Sequence, residues 1–187
     1  MQYFQQQKNV LKYIKMAEGY DGKELIEILK RILNYGSTIL ELGMGPGKDL
    51  DILSSDYIVT GSDNSKIFLE LYRKKNTDLL LLDAISIETE RKFDCIYSNK
   101  VLIHLTKPEL IKSLKRQWYV LNPEGLVFHS FWKGNRTEEM HGLRFTYYLE
   151  NQLLDLFKDI YEVLEIKSYD ELEKDDSIYV LGRKCKL

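Results

Sequence analysis

The sequence predicts an α/β domain of the doubly wound type, a mostly parallel sheet wrapped by helices and finished by an antiparallel C-terminal strand. Three observations carry this. Thr38-Ile-Leu-Glu-Leu42 is an apolar run that breaks into Gly43-Met-Gly-Pro-Gly47 and resumes as the apolar-periodic Lys48-Asp-Leu-Asp-Ile-Leu53, the pattern of a buried strand, a tight turn and a helix. Further short apolar runs, near 57–62, 79–82, 93–98 and 125–131, alternate with helical stretches, as parallel strands with helical crossovers require. Two last runs, Tyr161–Ser168 and Ser177–Gly182, flank an acidic stretch from Glu171 to Asp176. That gap is too short for a helical crossover, so the pair is antiparallel.

The elements follow in order. Helices near 3–17 and 21–34 precede the first strand, and Asn64-Ser65 caps a helix running to about Lys75. Lys107-Pro108 places a proline in the first turn of an amphipathic helix that runs to Val120, and Leu149 to Phe157 has helical periodicity. With 187 residues the chain supports one core, so a single domain is expected. A composition of 44% hydrophobic and 30% charged residues with 3 prolines fits a compact, soluble fold. The longest apolar runs, such as Leu79 to Leu82, fall far short of the roughly 20 residues of a membrane span. The polar N-terminus shows no signal peptide. Cys95 and Cys185 form no C-x-x-C pair, which fits a reducing compartment, so the cytoplasm is expected. The net charge of −2 offers no general attraction for nucleic acid, and Arg73-Lys-Lys75 reads as a solvated helix end.

The loop has a chemistry of its own. The fingerprint G-x-G-x-x-G needs glycine at 48, where this chain has Lys48. Glu41, two residues before Gly43, opposes a phosphate and suits a cationic ligand group, so the loop favours a cofactor without phosphates. Gly43, Gly45 and Gly47 allow close backbone approach and positive φ, and the following helix aims free N–H groups at the ligand. Tyr57-Ile-Val-Thr-Gly-Ser-Asp63 ends a second strand in an acid 20 residues after Gly43, placed to accept both hydroxyls of a ribose.

Glu41-Leu-Gly-Met-Gly-Pro-Gly47 resembles motif I of the class I S-adenosylmethionine-dependent methyltransferases, an acid followed by G-x-G-x-G. Asp78-Leu-Leu-Leu-Leu-Asp83-Ala84 is similar to the family's adenine-contacting strand end. Lys92-Phe-Asp-Cys-Ile-Tyr-Ser-Asn-Lys-Val-Leu-Ile-His-Leu105 resembles its "FD.I.S...L.HL" segment, and Leu121-Asn-Pro-Glu-Gly125 its "L.PGG" turn with Glu124 replacing a glycine. The resemblance covers residues 36 to 183. It implies a three-layer, Rossmann-like α/β fold with a seven-stranded, mostly parallel sheet and an antiparallel C-terminal strand. The single domain 1–187 then divides into an N-terminal helical cap (1–36), a cofactor-binding half (37–131), and a lid segment, helix and terminal hairpin (132–187).

The resemblance also implies roles. Glu41, Gly43, Gly45 and Gly47 surround the methionine part of S-adenosyl-L-methionine, Asp63 the ribose, Asp83 and Ala84 the adenine, and Ser98 the region near the sulfonium; Asn64 touches the adenosine or serves as a cap. Helix capping for Asp63, a surface turn or cap for Asp83, and simple packing for His104 stay open as rival readings. Acceptor residues belong to the leading helices and to the segment after strand five, where Tyr20, His141 and Tyr147 are candidate catalytic groups and Trp132 and Arg144 candidate substrate contacts. Methyl transfer from a sulfonium proceeds by in-line displacement and needs alignment more than a dedicated base. No G-x-S-x-G elbow is present, and His104, His129 and His141 lack zinc-ligand spacing, so no metal is expected. The Asn/Asp-Pro-Pro-Tyr/Phe motif of amino-methylating nucleic-acid enzymes is missing at Ser98-Asn-Lys-Val101. The expected reaction is therefore methylation of a small-molecule O or N (or S) nucleophile, with S-adenosyl-L-homocysteine as product. Neither nucleic acid nor membrane is an expected partner, and homodimer formation is left open. Two rival readings remain at this stage: a non-catalytic cofactor-binding or partner-regulating protein of the same fold, and a nicotinamide-dependent oxidoreductase, although Tyr72-Arg-Lys-Lys-Asn76 lacks the lysine a Tyr-x-x-x-Lys pair needs.

Overall fold

A computed structural model describes residues 3–73, 77–140 and 142–185. A short 3-10 turn, Tyr3–Gln5, leads into helices α1 (Gln7–Met16) and α2 (Lys23–Leu29), and strand β1 (Thr38–Leu42) follows. Next come α3 (Lys48–Leu53), β2 (Ile58–Asp63), α4 (Lys66–Tyr72), β3 (Asp78–Leu81) and β4 (Phe93–Asn99). The second half holds α5 (Lys107–Val120), β5 (Leu121–Trp132), β6 (Thr137–Met140), β7 (Leu143–Thr146), α6 (Glu150–Phe157), β8 (Tyr161–Tyr169) and β9 (Ser177–Lys184).

Seven strands form one sheet in the order β3-β2-β1-β4-β5-β9-β8. The first five are parallel, and β9 runs antiparallel between β5 and β8. Because side chains alternate along a strand, the central strands feed two cores. Ile39, Cys95, Tyr97, Phe128 and Tyr179 pack with Leu25, Ile26 and Leu29 of α2. Leu40, Ile96, Val127, Ile178 and Val180 pack with Leu110 and Leu114 of α5 and Leu153 and Phe157 of α6. The three-layer architecture is the one expected.

Several local expectations change. The helix after β2 ends at Tyr72, and Lys74, Lys75 and Asn76 lie outside the described residues. Ser65 holds the N-cap position, but its hydroxyl donates to the Phe4 carbonyl at 2.5 Å, while Asp63 takes the Ser65 N–H at 2.8 Å. The first turn of α5 is closed by a capping box between Thr106 and Glu109. Near the start of β5, Glu124 adopts φ +62 where the related motif has glycine, so the replacement keeps a left-handed backbone there at a cost in strain. The stretch expected as a lid contains a hairpin, β6 with β7. Among the described residues no helix is long and apolar enough to cross a membrane.

Candidate functional site

The loop after β1 is held open by backbone geometry. Gly43, Gly45 and Gly47 have φ of +65, +49 and +80. A Cβ on Gly43 would lie 2.7 Å from both Val101 methyls, and one on Gly47 would overlap the Tyr72 ring. Met44 N–H donates to the Ser62 carbonyl at 2.8 Å and Gly47 N–H to the Met44 carbonyl at 2.8 Å, which ties the loop to β2 and closes its turn. Two adjoining cavities open on this loop at the carboxyl edge of the parallel strands, of about 170 and 270 Å³. Gly43, Gly45, Tyr13, Asn99 and Lys100 line both, so they form a single trough.

At one end stand Asp63, Asn64, Asp83 and Ala84, covered by Phe4, Tyr13 and Phe68. These three rings pack on one another at 5.3–5.9 Å. Asp63 is 7% exposed; its Oδ2 accepts the Gly45 N–H at 3.0 Å and its Oδ1 the Ser65 N–H at 2.8 Å. Burial raises its pKa, and the backbone N–H bonds pull it back. A carboxylate offers about four lone-pair sites, so the backbone N–H groups leave it capacity for a further donor. Asp83 Oδ1 accepts the Ile85 N–H at 2.7 Å.

The other end is lined by Glu41, Asp49, Tyr20, Asp21, Trp132 and Glu171, with further groups. Glu41 is buried and its Oε2 has no hydrogen-bond partner among the described residues. Burial, and then the charges of Asp49, Asp63 and Asp51, push its carboxyl well above the ordinary range. A cation brought beside this group would hold it ionised and satisfy it. Asp49 holds the site's frame: Oδ1 accepts the Gly22 N–H at 2.6 Å, and Oδ2 accepts the Tyr97 hydroxyl at 2.8 Å and the Asn99 amide at 3.2 Å. Asn99 in turn accepts from the Ser130 hydroxyl at 2.5 Å, which accepts the Lys100 N–H at 3.0 Å.

Residues 39–125 match the family profile described as Methyltransferase domain. Over that stretch, a little under half of the chain, the sequence is similar to methyltransferase domains. It is 32% identical over 120 residues to an uncharacterized methyltransferase of Oceanobacillus iheyensis, a match covering 62% of this chain and 54% of that protein. The chain thus spans about half the length of this curated relative. An S-adenosylmethionine-dependent methyltransferase from Clostridium acetobutylicum shares the fold with a TM-score of 0.77 at 14% identity, over 94% of this chain and 98% of that one. The 1,6-didemethyltoxoflavin-N1-methyltransferase of Burkholderia thailandensis, solved with 1,6-didemethyltoxoflavin and S-adenosylhomocysteine, gives 0.75 at 17% identity, over 95% and 88%.

The structure brings Glu41, Gly43, Gly45, Asp63, Asn64, Asp83, Ala84, Tyr20 and Trp132 to the trough. Gly47 stands behind it as the N-cap of α3. Ser98 departs from its expected place. It is fully buried, lines neither cavity, and sits at 2.8 Å from Nδ1 of His129, its register partner on β5. His129 Nε2 faces Gln117 Oε1 at 2.7 Å, Gln117 Nε2 donates to Ser113 Oγ at 3.1 Å, and Ser113 donates to the Ala84 carbonyl at 2.6 Å. The carbonyl at the end of this chain only accepts, which orients every other bond and places the imidazole proton on Nε2.

Arg144 and Tyr147 also lie away from the trough. Arg144 faces Glu139 across the β6–β7 hairpin at 3.7 Å, and Tyr147 stacks under Arg136 at 3.8 Å. His141 lies outside the described residues. His104 lines the Asp63 end of the trough and is packed, with Nδ1 at 2.6 Å from the Arg144 carbonyl and Phe145 edge-on at 4.9 Å. Sequence reasoning missed Asp49, Asn99, Lys100 and Glu171. Asn99 and Lys100 carried a signal, two polar residues directly after an apolar strand, whereas Asp49 and Glu171 reach the site only through tertiary packing. Among the described residues no group of three His, Cys, Asp or Glu side chains is arranged to hold a metal.

Proposed function

We propose that this chain transfers a methyl group from S-adenosylmethionine to a small-molecule nitrogen, oxygen or sulfur nucleophile, releasing S-adenosylhomocysteine. The observation that carries the reading is the trough itself: one glycine loop shared by two cavities, with Asp63 at one end and at the other Glu41 Oε2, without a hydrogen-bond partner among the described residues. The residues fit the cofactor. Asp63 has capacity left for a ribose hydroxyl, Asp83 and Ala84 stand where the adenine edge belongs, and Glu41 matches an ammonium. Gly43 and Gly45 leave the space that a methionyl chain needs beside the backbone.

When bound, the cofactor supplies a sulfonium-activated methyl group, open to displacement in line with its leaving sulfur. The protein's part is alignment and exclusion of water. Phe4, Tyr13 and Phe68 roof the adenosine end, Asn99 is fixed from both sides by Asp49 and Ser130, and Trp132 and Tyr20 wall the acceptor end.

Calorimetric titration with S-adenosylmethionine, S-adenosylhomocysteine, NAD and NADP tests the proposal. Micromolar binding of the first pair alone is expected. Binding of neither pair would favour a partner-regulating protein, and binding of the nicotinamides an oxidoreductase.

A further inference from the structure

We propose that the methyl acceptor is an amine carried on an apolar skeleton, seated between Trp132, Tyr20, Asp21 and Glu171; this rests on the cofactor reading above. Four carboxylates line this end of the trough, Asp21, Glu41, Asp49 and Glu171, against two ammoniums, Lys48 and Lys100. Both ammoniums are already committed. Lys100 points its three N–H groups at Glu171 Oε2, the Tyr169 hydroxyl at 2.8 Å and the Ser177 hydroxyl at 3.0 Å. Lys48 donates to the main-chain carbonyls of Ala17 and, at 3.1 Å, Tyr20.

An acceptor bearing a carboxylate or phosphate would therefore face four acids, with Lys100 already paired to Glu171 and only Lys48, tethered to two main-chain carbonyls, to meet it. A cationic or N–H-donating acceptor meets the opposite, and by giving one proton to Glu171 or Asp21 it frees the nitrogen lone pair that forms the new carbon–nitrogen bond as the carbon–sulfur bond breaks and neutral S-adenosylhomocysteine leaves. Glu41, one of the four acids, is buried in the same cavity with its Oε2 lacking a hydrogen-bond partner among the described residues. Glu41 matches the cofactor's own ammonium, which leaves to the acceptor Asp21 and the second oxygen of Glu171, whose Oε2 is paired with Lys100. Every Glu171 side-chain bond described ends on Oε2, and Oε1 makes none among the described residues.

The wall also shows how it holds an amine, using one of its own. Lys100 Nζ lies 4.3 Å from the centre of the Trp132 ring and 4.9 Å from that of Tyr169, with Glu171 as counter-ion. An ammonium over aromatic faces beside a carboxylate is a recurrent solution for amine recognition. At the mouth Met16, Tyr20 and Leu172 are exposed by more than half of their surface, an apolar rim for the rest of the acceptor.

The test is calorimetry on protein saturated with S-adenosylhomocysteine, titrated with 2-phenylethylamine and tyramine and with their carboxylate counterparts phenylacetate and 4-hydroxyphenylacetate. The amines are expected to bind about tenfold or more tightly than the carboxylates. Glu171→Gln should cut that preference by about fivefold while S-adenosylhomocysteine affinity stays within about twofold. Asp21→Asn, on the exposed lip where folding is not at stake, should act in the same direction. Equal or tighter carboxylate binding, no amine binding to the loaded protein, or a preference that survives both substitutions would overturn the acceptor class. Failure of S-adenosylhomocysteine itself to bind would overturn the cofactor reading instead, so the two failures are told apart.

Discussion

Replacing His129 with glutamine should flatten the acid dependence of this protein's stability. His129 is 1% exposed and its neutral ring is satisfied on both nitrogens, by Ser98 at Nδ1 and Gln117 at Nε2. Burial lowers its pKa from 6.5 to about 3. Between these values the unfolded chain binds a proton at this site and the folded chain does not. Stability from the neutral ring is thus fully present above the unfolded pKa, falls as pH drops through it, and levels off below the folded pKa. One proton gives a slope of about 1.4 kcal/mol per pH unit, so going from pH 6 to pH 4 removes about 2.5 kcal/mol through this ring. Urea unfolding of the wild type and His129→Gln across that range measures it. Glutamine destabilises at pH 7 but does not titrate, so the gap between the two proteins should narrow by about that amount on acidification. The buried carboxyls Glu41 and Asp63 titrate in both proteins and cancel in the difference. Parallel stability curves would refute the assignment of a buried, neutral His129.

Gly43→Ala places a methyl 2.7 Å from both Val101 methyls at φ +65, and should cost about 2–4 kcal/mol in denaturant unfolding and abolish S-adenosylhomocysteine binding. Asp63→Asn keeps the shape but removes the charge, and calorimetry should show affinity for S-adenosylhomocysteine falling by about ten- to a hundredfold; a change under about threefold would rule out a ribose contact there. Of the two cysteines, Cys185 is exposed while Cys95 is buried and burial pushes its thiol far up. An aromatic disulfide reagent should therefore titrate one thiol in the native protein and two only in denaturant.

Most of the sheet was legible because its signals are local. A strand that breaks into three glycines, a second that ends in Asp63, and two apolar runs too close for a crossover each declare themselves within a few residues. The β6–β7 hairpin did not, since Thr137-Glu-Glu-Met140 and Leu143-Arg-Phe-Thr146 are short, largely polar and hold together by pairing across the turn. That pairing is why Arg144 turns to Glu139 rather than to the trough. Ser98 failed for a different reason, the strict alternation of side chains along a strand. Tyr97 and Asn99 face Asp49, so Ser98 between them faces α5 and meets His129. A one-residue displacement separates a contact with the cofactor region from a fully enclosed hydrogen bond. Glu171 could not have been found from its surroundings in sequence, where it is one acid in the run from Asp170 to Asp176, and its neighbour Lys100 lies 71 positions away.

Lys100 adopts φ +56, a conformation that a side chain with a Cβ rarely takes. From that one strained position it joins stretches encoded far apart: Ser130 and Trp132 at the end of β5, and Tyr169, Glu171 and Ser177 around the last turn. The acceptor wall is thus a single joint with three contributors. A chimera that imports only the segment after β5, or only the final turn, from a relative of different specificity receives a third of that joint and leaves Lys100 without part of its set of partners. Such hybrids should lose solubility before they gain a new substrate. Exchanges that carry Lys100, Trp132 and the 169–177 turn together are the ones able to redirect the chemistry, and natural divergence of this wall faces the same constraint.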